Sequence, residues 1–199
     1  MSAQYTVPNP AAPGKMFMNY QGLASYLSSG GDNYWVIDTD YDNYAITYAC
    51  RSLKDDGTCD DGYSLIFSRN PRGLPPAIQR IVRQKQEEIC MAGQFEPVLQ
   101  SGVYTIQTLL NNGKMDYSKV ALLIVVLSYI EECWSASCVV DSFSVKEDFD
   151  PKKYAGKWYA LQKKDPEGLF LQDNISAEYT IDDEGIMTAS SKGRVKLFG

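Results

Sequence analysis

The stretch that most constrains this chain is Phe149 to Lys163, FDPKKYAGKWYALQK. Asp150-Pro151 is turn chemistry, since proline presets φ and aspartate can bond its own backbone. Gly156-Lys157-Trp158 follows, and from Trp158 onward strand-favouring aromatic and apolar residues run with few breakers. The stretch reads as the strand against which a small antiparallel barrel closes.

Partner strands are legible on both sides of it. Met1 to Val7 is extended and precedes a loop holding Pro8, Pro10, Pro13 and Gly14. Lys15 to Tyr26 puts Met16, Met18 and Tyr20 on one face by the period of two. Tyr34 to Asp38 and Tyr44 to Arg51 make a hairpin around Tyr41-Asp42-Asn43, and Tyr63 to Arg69 follows. In Tyr44 to Arg51 one face is Ala45, Thr47, Ala49 and the other Tyr44, Ile46, Tyr48. A barrel lined by such small residues cannot fill itself. Further along, Ile175 to Ile181 (Ala177, Tyr179 and Ile181 on one face) and Met187 to Leu197 (Met187, Ala189, Ser191) turn at Asp182-Asp183-Glu184-Gly185. Aromatics at 12%, 14 of them Tyr, suit an all-β protein of one domain.

One helix interrupts the strands. Pro75-Pro76 starts it, because proline lacks the donor that a first turn leaves unpaired. Ile78, Ile81, Val82 and Ile89 fall on its apolar side, Arg80, Arg83 and Lys85 on its solvated side, and Gly93 is the expected stop. Phe95 to Leu99 is a short extended piece after it.

Composition excludes several functions. A formal charge of -6 is at odds with nucleic-acid binding, which needs basic patches to displace counterions. The chain has no histidine, which removes the commonest general base, the usual zinc ligand and every Ser-His-Asp or Cys-His arrangement. The acidic pairs lie in turns such as Asp55-Asp56-Gly57, where solvated turn chemistry accounts for them. No catalytic residue, metal site or cofactor is expected. Of the five cysteines, Cys50 and Cys59 bracket RSLKDDGT, a turn between strand-like runs. Either a disulfide clasps that hairpin in an oxidising compartment or the thiols are free and buried.

Three pieces, Gly156-Lys157-Trp158, Thr39-Asp40-Tyr41 and Arg69 at the end of SLIFSR, together resemble the signature of the lipocalins. Lys163 to Asn174, KKDPEGLFLQDN, is similar to the entrance loop of that family's retinol-binding branch, and the resemblance spans residues 1 to 102 and 138 to 199. It implies an eight-stranded antiparallel up-and-down β-barrel with one flanking α-helix, and a second disulfide, Cys90 to Cys138, with Cys133 left over. It also implies that Trp158 sits at the closed end under Arg69, a structural role set against the alternative of a ligand contact.

By the same resemblance the retinoid-lining positions are Leu169, Phe170 and Leu171 in the entrance loop, then Ala177, Ala189, Ser191 and Val195. Met1, Met18, Tyr20, Tyr63 and Leu65 complete them. The competing reading of these residues is ordinary barrel core. Ser28 and Thr47 stand at mouth positions where the family has longer amides. The implied function is an extracellular carrier of retinol or a similar retinoid, with a transthyretin-like carrier or cell-surface receptor as partner. The alternatives are a retinal adhesion and survival protein that acts without ligand, or an isomerase-like enzyme. The enzyme would need a reactive thiolate, and the cysteines match disulfide positions instead.

The order of the pieces departs from the family, where the Gly-x-Trp segment comes first. Residues 1–113 resemble the back of the barrel with its helix and 137–199 its front. The expected product is one jointly formed, circularly permuted barrel lacking part of one strand, which folds can tolerate. Between the parts, residues 114–136 carry a lysine, an apolar run from Val120 to Leu127 and the small exit Ser135-Ala136, the pattern of a secretory signal peptide. The run is too short for a membrane span, which takes about 20 apolar residues. A signal at an internal position implies a reading frame that joins tandem gene copies into a non-functional chimera. Full-length transcripts test this, since one abundant message in this order would exclude it.

Overall fold

The computed structural model describes residues 2–22, 31–100, 138–164 and 171–195. The strands are β1 (Ser2–Thr6), β2 (Lys15–Gln21), β3 (Gly31–Thr39), β4 (Tyr44–Leu53) and β5 (Cys59–Ser68). Helix α1 (Pro76–Glu88) and the two-residue β6 (Glu96–Pro97) come next. A short helix α2 (Pro151–Tyr154) then leads into β7 (Gly156–Lys164), β8 (Leu171–Ile181) and β9 (Met187–Val195).

Every pairing is antiparallel, in the order β5-β4-β3-β2-β1-β9-β8-β7-β6. The barrel of eight long strands closes where β5 pairs with β7, from Ser64 opposite Lys164 to Ser68 opposite Tyr159. The first and last described strands are neighbours, with Ala3 opposite Ala189 and Tyr5 opposite Met187. Closure removes free sheet edges.

Two apolar clusters flank the sheet. The inner one holds Tyr5, Met18, Tyr34, Ala45, Phe67, Trp158 and Ala177 among others. The outer one holds Tyr44, Ile46, Tyr48, Ile66, Val82, Ile89 and Phe143. Strand β4 is therefore buried on both sides: Ala45 is at 0% exposure inside the barrel, and Ile46 at 0% lies on the face toward α1. The alternation of small and large residues expected for this strand is what splits it between the two clusters.

The helix departs from expectation at two points. It ends at Glu88, not at Gly93, because Cys90 takes the left-handed conformation (φ 57°). Cys90 N–H then donates to the Glu87 carbonyl and Met91 N–H to the Gln86 carbonyl, the paired bonds of a Schellman stop. Gly93 has a positive φ of its own, three residues further on. Ile81 also points outward at 38% exposure, while Gln86 is buried and its Nε2 donates to Gln162 Oε1 at 2.8 Å, tying α1 to β7.

Disulfides join Cys50 to Cys59 and Cys90 to Cys138. The second anchors the segment after residue 138 across the outside of the barrel, where Phe143 packs edge-on to Tyr48 at 5.3 Å. That segment passes so close to Gly14 that an added Cβ would lie 2.8 Å from the Lys146 carbonyl oxygen. Cys133 and the whole of 114–136 fall outside the described residues. Among those described, no helix is long and apolar enough to cross a membrane.

Candidate ligand-binding cavity

The three signature pieces meet at one end of the barrel. Trp158 is at 0% exposure, its indole N–H donates to the Tyr154 carbonyl at 2.9 Å, and the Arg69 guanidinium lies 3.7 Å from the ring centroid. Arg69 donates to the carbonyls of Tyr41, Lys157, Lys153, Tyr154 and Ala155 at 2.9 to 3.3 Å. Burial lowers its pKa, with Tyr154 and Asp42 nearby acting in the opposite direction. Gly156, at φ +97°, leaves room for it: a Cβ there would come within 3.2 Å of Nη1. In the facing hairpin Thr39 Oγ1 donates to the Tyr44 carbonyl and accepts from Tyr41 N–H. Asp40 Oδ1 accepts from the N–H groups of Asp42, Asn43 and Tyr44. The local turn is thus held by its own side chains, and Tyr41 is free to offer its carbonyl to Arg69.

Above this plug lies a floor of buried tyrosines. Tyr34 Oη lies 2.5 Å from Tyr179 Oη and 3.1 Å from Tyr154 Oη, and Tyr5 Oη donates to Met18 Sδ at 3.2 Å. Burial raises the pKa of Tyr5, Tyr34 and Tyr179 well above the ordinary phenol value, so all stay protonated and keep donating.

Between floor and mouth the described residues enclose a mostly apolar cavity of about 100 Å³. Ser2, Ala3, Tyr5, Met18 and Tyr20 face it from β1 and β2, and Tyr34 and Arg51 from β3 and β4. Tyr63, Leu65 and Phe67 of β5 and Ile175, Ala177, Tyr179 and Ser191 of β8 and β9 complete the wall. Ligand sites usually occupy roughly 300–1,000 Å³. This cavity is smaller than that, narrowed by the rings of Tyr5, Tyr34, Tyr63 and Tyr179.

The mouth carries the charge. Tyr20 Oη donates to Asp32 Oδ2 at 2.6 Å, and Arg51 Nε lies 3.2 Å from Asp32 Oδ1. Asp61 is a second, longer partner of Arg51 at 3.8 Å. Burial and the bond to Asp32 push the Tyr20 phenol up to about 12. For Arg51, burial opposes the charge, but the Asp32 carboxylate outweighs it and raises the pKa. The Arg51 guanidinium stacks 4.7 Å from the Tyr63 ring centroid. Tyr63 itself is buried, and its Oη is the one fully buried side-chain polar atom among the described residues that lacks a hydrogen-bond partner.

Six of the twelve positions expected at the ligand, Met18, Tyr20, Tyr63, Leu65, Ala177 and Ser191, line this cavity. Ala189 is buried in the inner cluster without lining it. Leu171 and Val195 pair with each other at the ends of β8 and β9. Met1, Leu169 and Phe170 lie outside the described residues, as does Ser28. Thr47 is buried, with its hydroxyl donating to the Leu65 carbonyl at 3.4 Å. Ser2, Ala3, Tyr5, Tyr34, Arg51, Phe67, Ile175 and Tyr179 line it besides; period-two alternation reaches Tyr179 from Ala177, Phe67 from Leu65 and Arg51 from Ala49. Among the described residues no three His, Cys, Asp or Glu side chains cluster as a metal site.

Residues 3–98 match the family model described as the lipocalin and cytosolic fatty-acid binding protein family. The chain is 89% identical to purpurin of Gallus gallus over 102 residues, 51% of this chain and 52% of purpurin. It is 51% identical to retinol-binding protein 4 of Gallus gallus over 90 residues, 45% of this chain and 46% of that protein. To retinol-binding protein 4-A of Oncorhynchus mykiss it is 58% identical over 90 residues, 45% of this chain and 51% of the relative. The chain thus spans about half the length of the curated relatives it matches. The closed eight-stranded barrel with one helix packed on its outer face is consistent with the lipocalin fold, and residues 3–98, just under half of the chain, match that family's model.

Proposed function

We propose that the chain is a non-enzymatic carrier of a small hydrophobic ligand, a retinoid such as retinol, held inside the barrel. The observation that carries this reading is the apolar cavity itself. It lies between a sealed floor and a polar mouth, with Ala3, Ala177 and Leu65 presenting small or aliphatic surface where a polyene would lie. Burial of such a ligand is driven by about 25 cal/mol per Å² of apolar surface removed from water. The names of the retinol-binding relatives support the choice of ligand class. Leu169, Phe170 and Leu171 would close the entrance, with Ala189, Val195 and Met1 nearby in the wall. Trp158, Gly156, Thr39, Asp40, Tyr41 and Arg69 are then scaffold and not ligand contacts. The two disulfides favour an extracellular setting, where a transthyretin-like carrier or a receptor would be the partner.

The test is a titration of oxidatively refolded protein with all-trans-retinol, read by tryptophan quenching and sensitised retinol emission. Saturation near one equivalent in the wild type, lost in Ala177→Phe with its cooperative melt retained, is the expected result. A well-folded wild type that does not saturate overturns the carrier reading and favours an interaction role without ligand. The proposed joint assembly of residues 1–113 and 137–199 has its own check. A cut within 114–136 should leave the two parts associated under reducing, non-denaturing conditions, where Cys90–Cys138 no longer links them, because β1–β9 and β5–β7 both join them.

A further inference from the structure

The carrier reading leaves one buried group unused. Tyr63 lines the cavity, and its Oη is buried with no hydrogen-bond partner, although a buried hydroxyl without one is costly. Its ring is stacked by the Arg51 guanidinium at 4.7 Å, a second side chain of the same cavity wall. The polar groups beside it are committed elsewhere: Tyr20 Oη donates to Asp32, and Arg51 is held by Asp32 and Asp61. Burial, with Tyr20 and Asp32 nearby, keeps the Tyr63 phenol protonated.

Resting on the carrier reading, we propose that Tyr63 Oη is the group that reads the ligand's oxygen, and that the ligand it selects is a neutral alcohol or aldehyde rather than a carboxylic acid. A hydroxyl or carbonyl oxygen placed at Tyr63 Oη supplies the missing partner, and a phenol can both donate and accept. A carboxylate gains less. Arg51 is the one charged side chain lining the cavity among the described residues, and its charge is already balanced by Asp32 and Asp61. An incoming carboxylate would have to displace Asp32 or sit beside it, desolvated, against a like charge.

The experiment uses three probes of one skeleton: all-trans-retinol, retinoic acid, and the hydrocarbon that lacks the hydroxyl. Each is titrated against wild type, Tyr63→Phe and Asp32→Asn. The wild type is expected to bind retinol more tightly than either analogue. Tyr63→Phe should weaken retinol by roughly 10- to 100-fold, the scale of one buried hydrogen bond, and leave the hydrocarbon unchanged. Its melting temperature in the absence of ligand should be equal or higher, since the deleted hydroxyl has no partner to lose; a merely structural tyrosine would lower it. Asp32→Asn should release Arg51 and improve retinoic acid binding relative to retinol. Wild-type preference for the acid, or a Tyr63→Phe loss shared equally by retinol and hydrocarbon, overturns the proposal while the carrier reading stands. Failure of folded wild type to bind any of the three overturns both.

Discussion

The barrel places an arginine over an aromatic ring at each end, and the two pairs are built for different ends. Arg69 covers Trp158 at 3.7 Å and gives its donors to five backbone carbonyls drawn from the Thr39–Tyr44 hairpin, α2 and the start of β7. Arg51 covers Tyr63 at 4.7 Å, but its partners are carboxylates and its side chain is 30% exposed. The first pair ties the backbone of the hairpin, α2 and β7 together through those carbonyls. The second balances charge around a phenol that is left without a partner. The same stacking geometry thus occurs once among backbone acceptors and once beside a phenol without a partner, the arrangement on which the proposed role of Tyr63 rests.

The largest expected effect is alkaline, and it falls more heavily on the closed end, where four buried tyrosines stand against Tyr20 and Tyr63 at the mouth. Tyr5, Tyr34, Tyr154 and Tyr179 near the closed end are buried, and burial raises all four above their ordinary value. Because the folded pKa lies above the unfolded one, their contribution is full below about pH 10 and is lost as pH rises through the folded values. Each withheld ionisation lowers stability by about 1.4 kcal/mol per pH unit above pH 10, so four together forfeit roughly 5 kcal/mol within one unit. Cooperative unfolding close above pH 11, shifted upward in Tyr179→Phe, is the expected outcome of a circular-dichroism titration. Ionisation of all four without unfolding would show that the floor is open to water.

Next in size is the plug. Trp158→Ala removes a fully buried indole and should destabilise by about 3–5 kcal/mol in urea unfolding, with no dependence on ligand. Reduction to a cavity-specific defect, rescued by retinol, would move Trp158 from scaffold to site. The mouth disulfide follows: Cys50→Ala with Cys59→Ala opens a loop of 9 residues and should cost roughly 3 kcal/mol by loop entropy.

How much of this was legible in the chain differs by region. The strands were readable because alternation is local: Ala45, Thr47 and Ala49 against Tyr44, Ile46 and Tyr48 states both faces of β4 before any partner is known. The helix end was not, because Cys90 adopts a conformation that glycine would take more readily, where a disulfide to a residue 48 positions away holds it. Gln86 faces inward in place of Ile81 because Gln162 waits on β7, a partner that helical periodicity cannot see. Arg51 falls on the inward face by counting from Ala49, yet its charge argues for solvent; only the position of Asp32 across the β3–β4 pairing resolves the conflict. The lack of a partner at Tyr63 is a property of the assembled cavity and leaves no trace in sequence.

The smallest expected effect is the sharpest test of the contrast. Replacing each arginine by lysine keeps the positive charge and removes the planar fork. At Arg69 the fork is what reaches five carbonyls, and lysine has three donors on one atom; the partly buried carbonyls left over should cost about 2 kcal/mol. At Arg51 a lysine can still meet Asp32, and a partly exposed ion pair is worth about 1 kcal/mol or less, so Arg51→Lys should lower stability by no more than that. Urea midpoints of the two variants, measured side by side, decide the matter. Equal losses would mean that the mouth pair is scaffold as well, and Tyr63 would then be held in a rigid wall for its ring and not for its hydroxyl. A small loss at Arg51, together with weakened retinol binding, would mean that the stack positions Tyr63 for the ligand while contributing little to the fold.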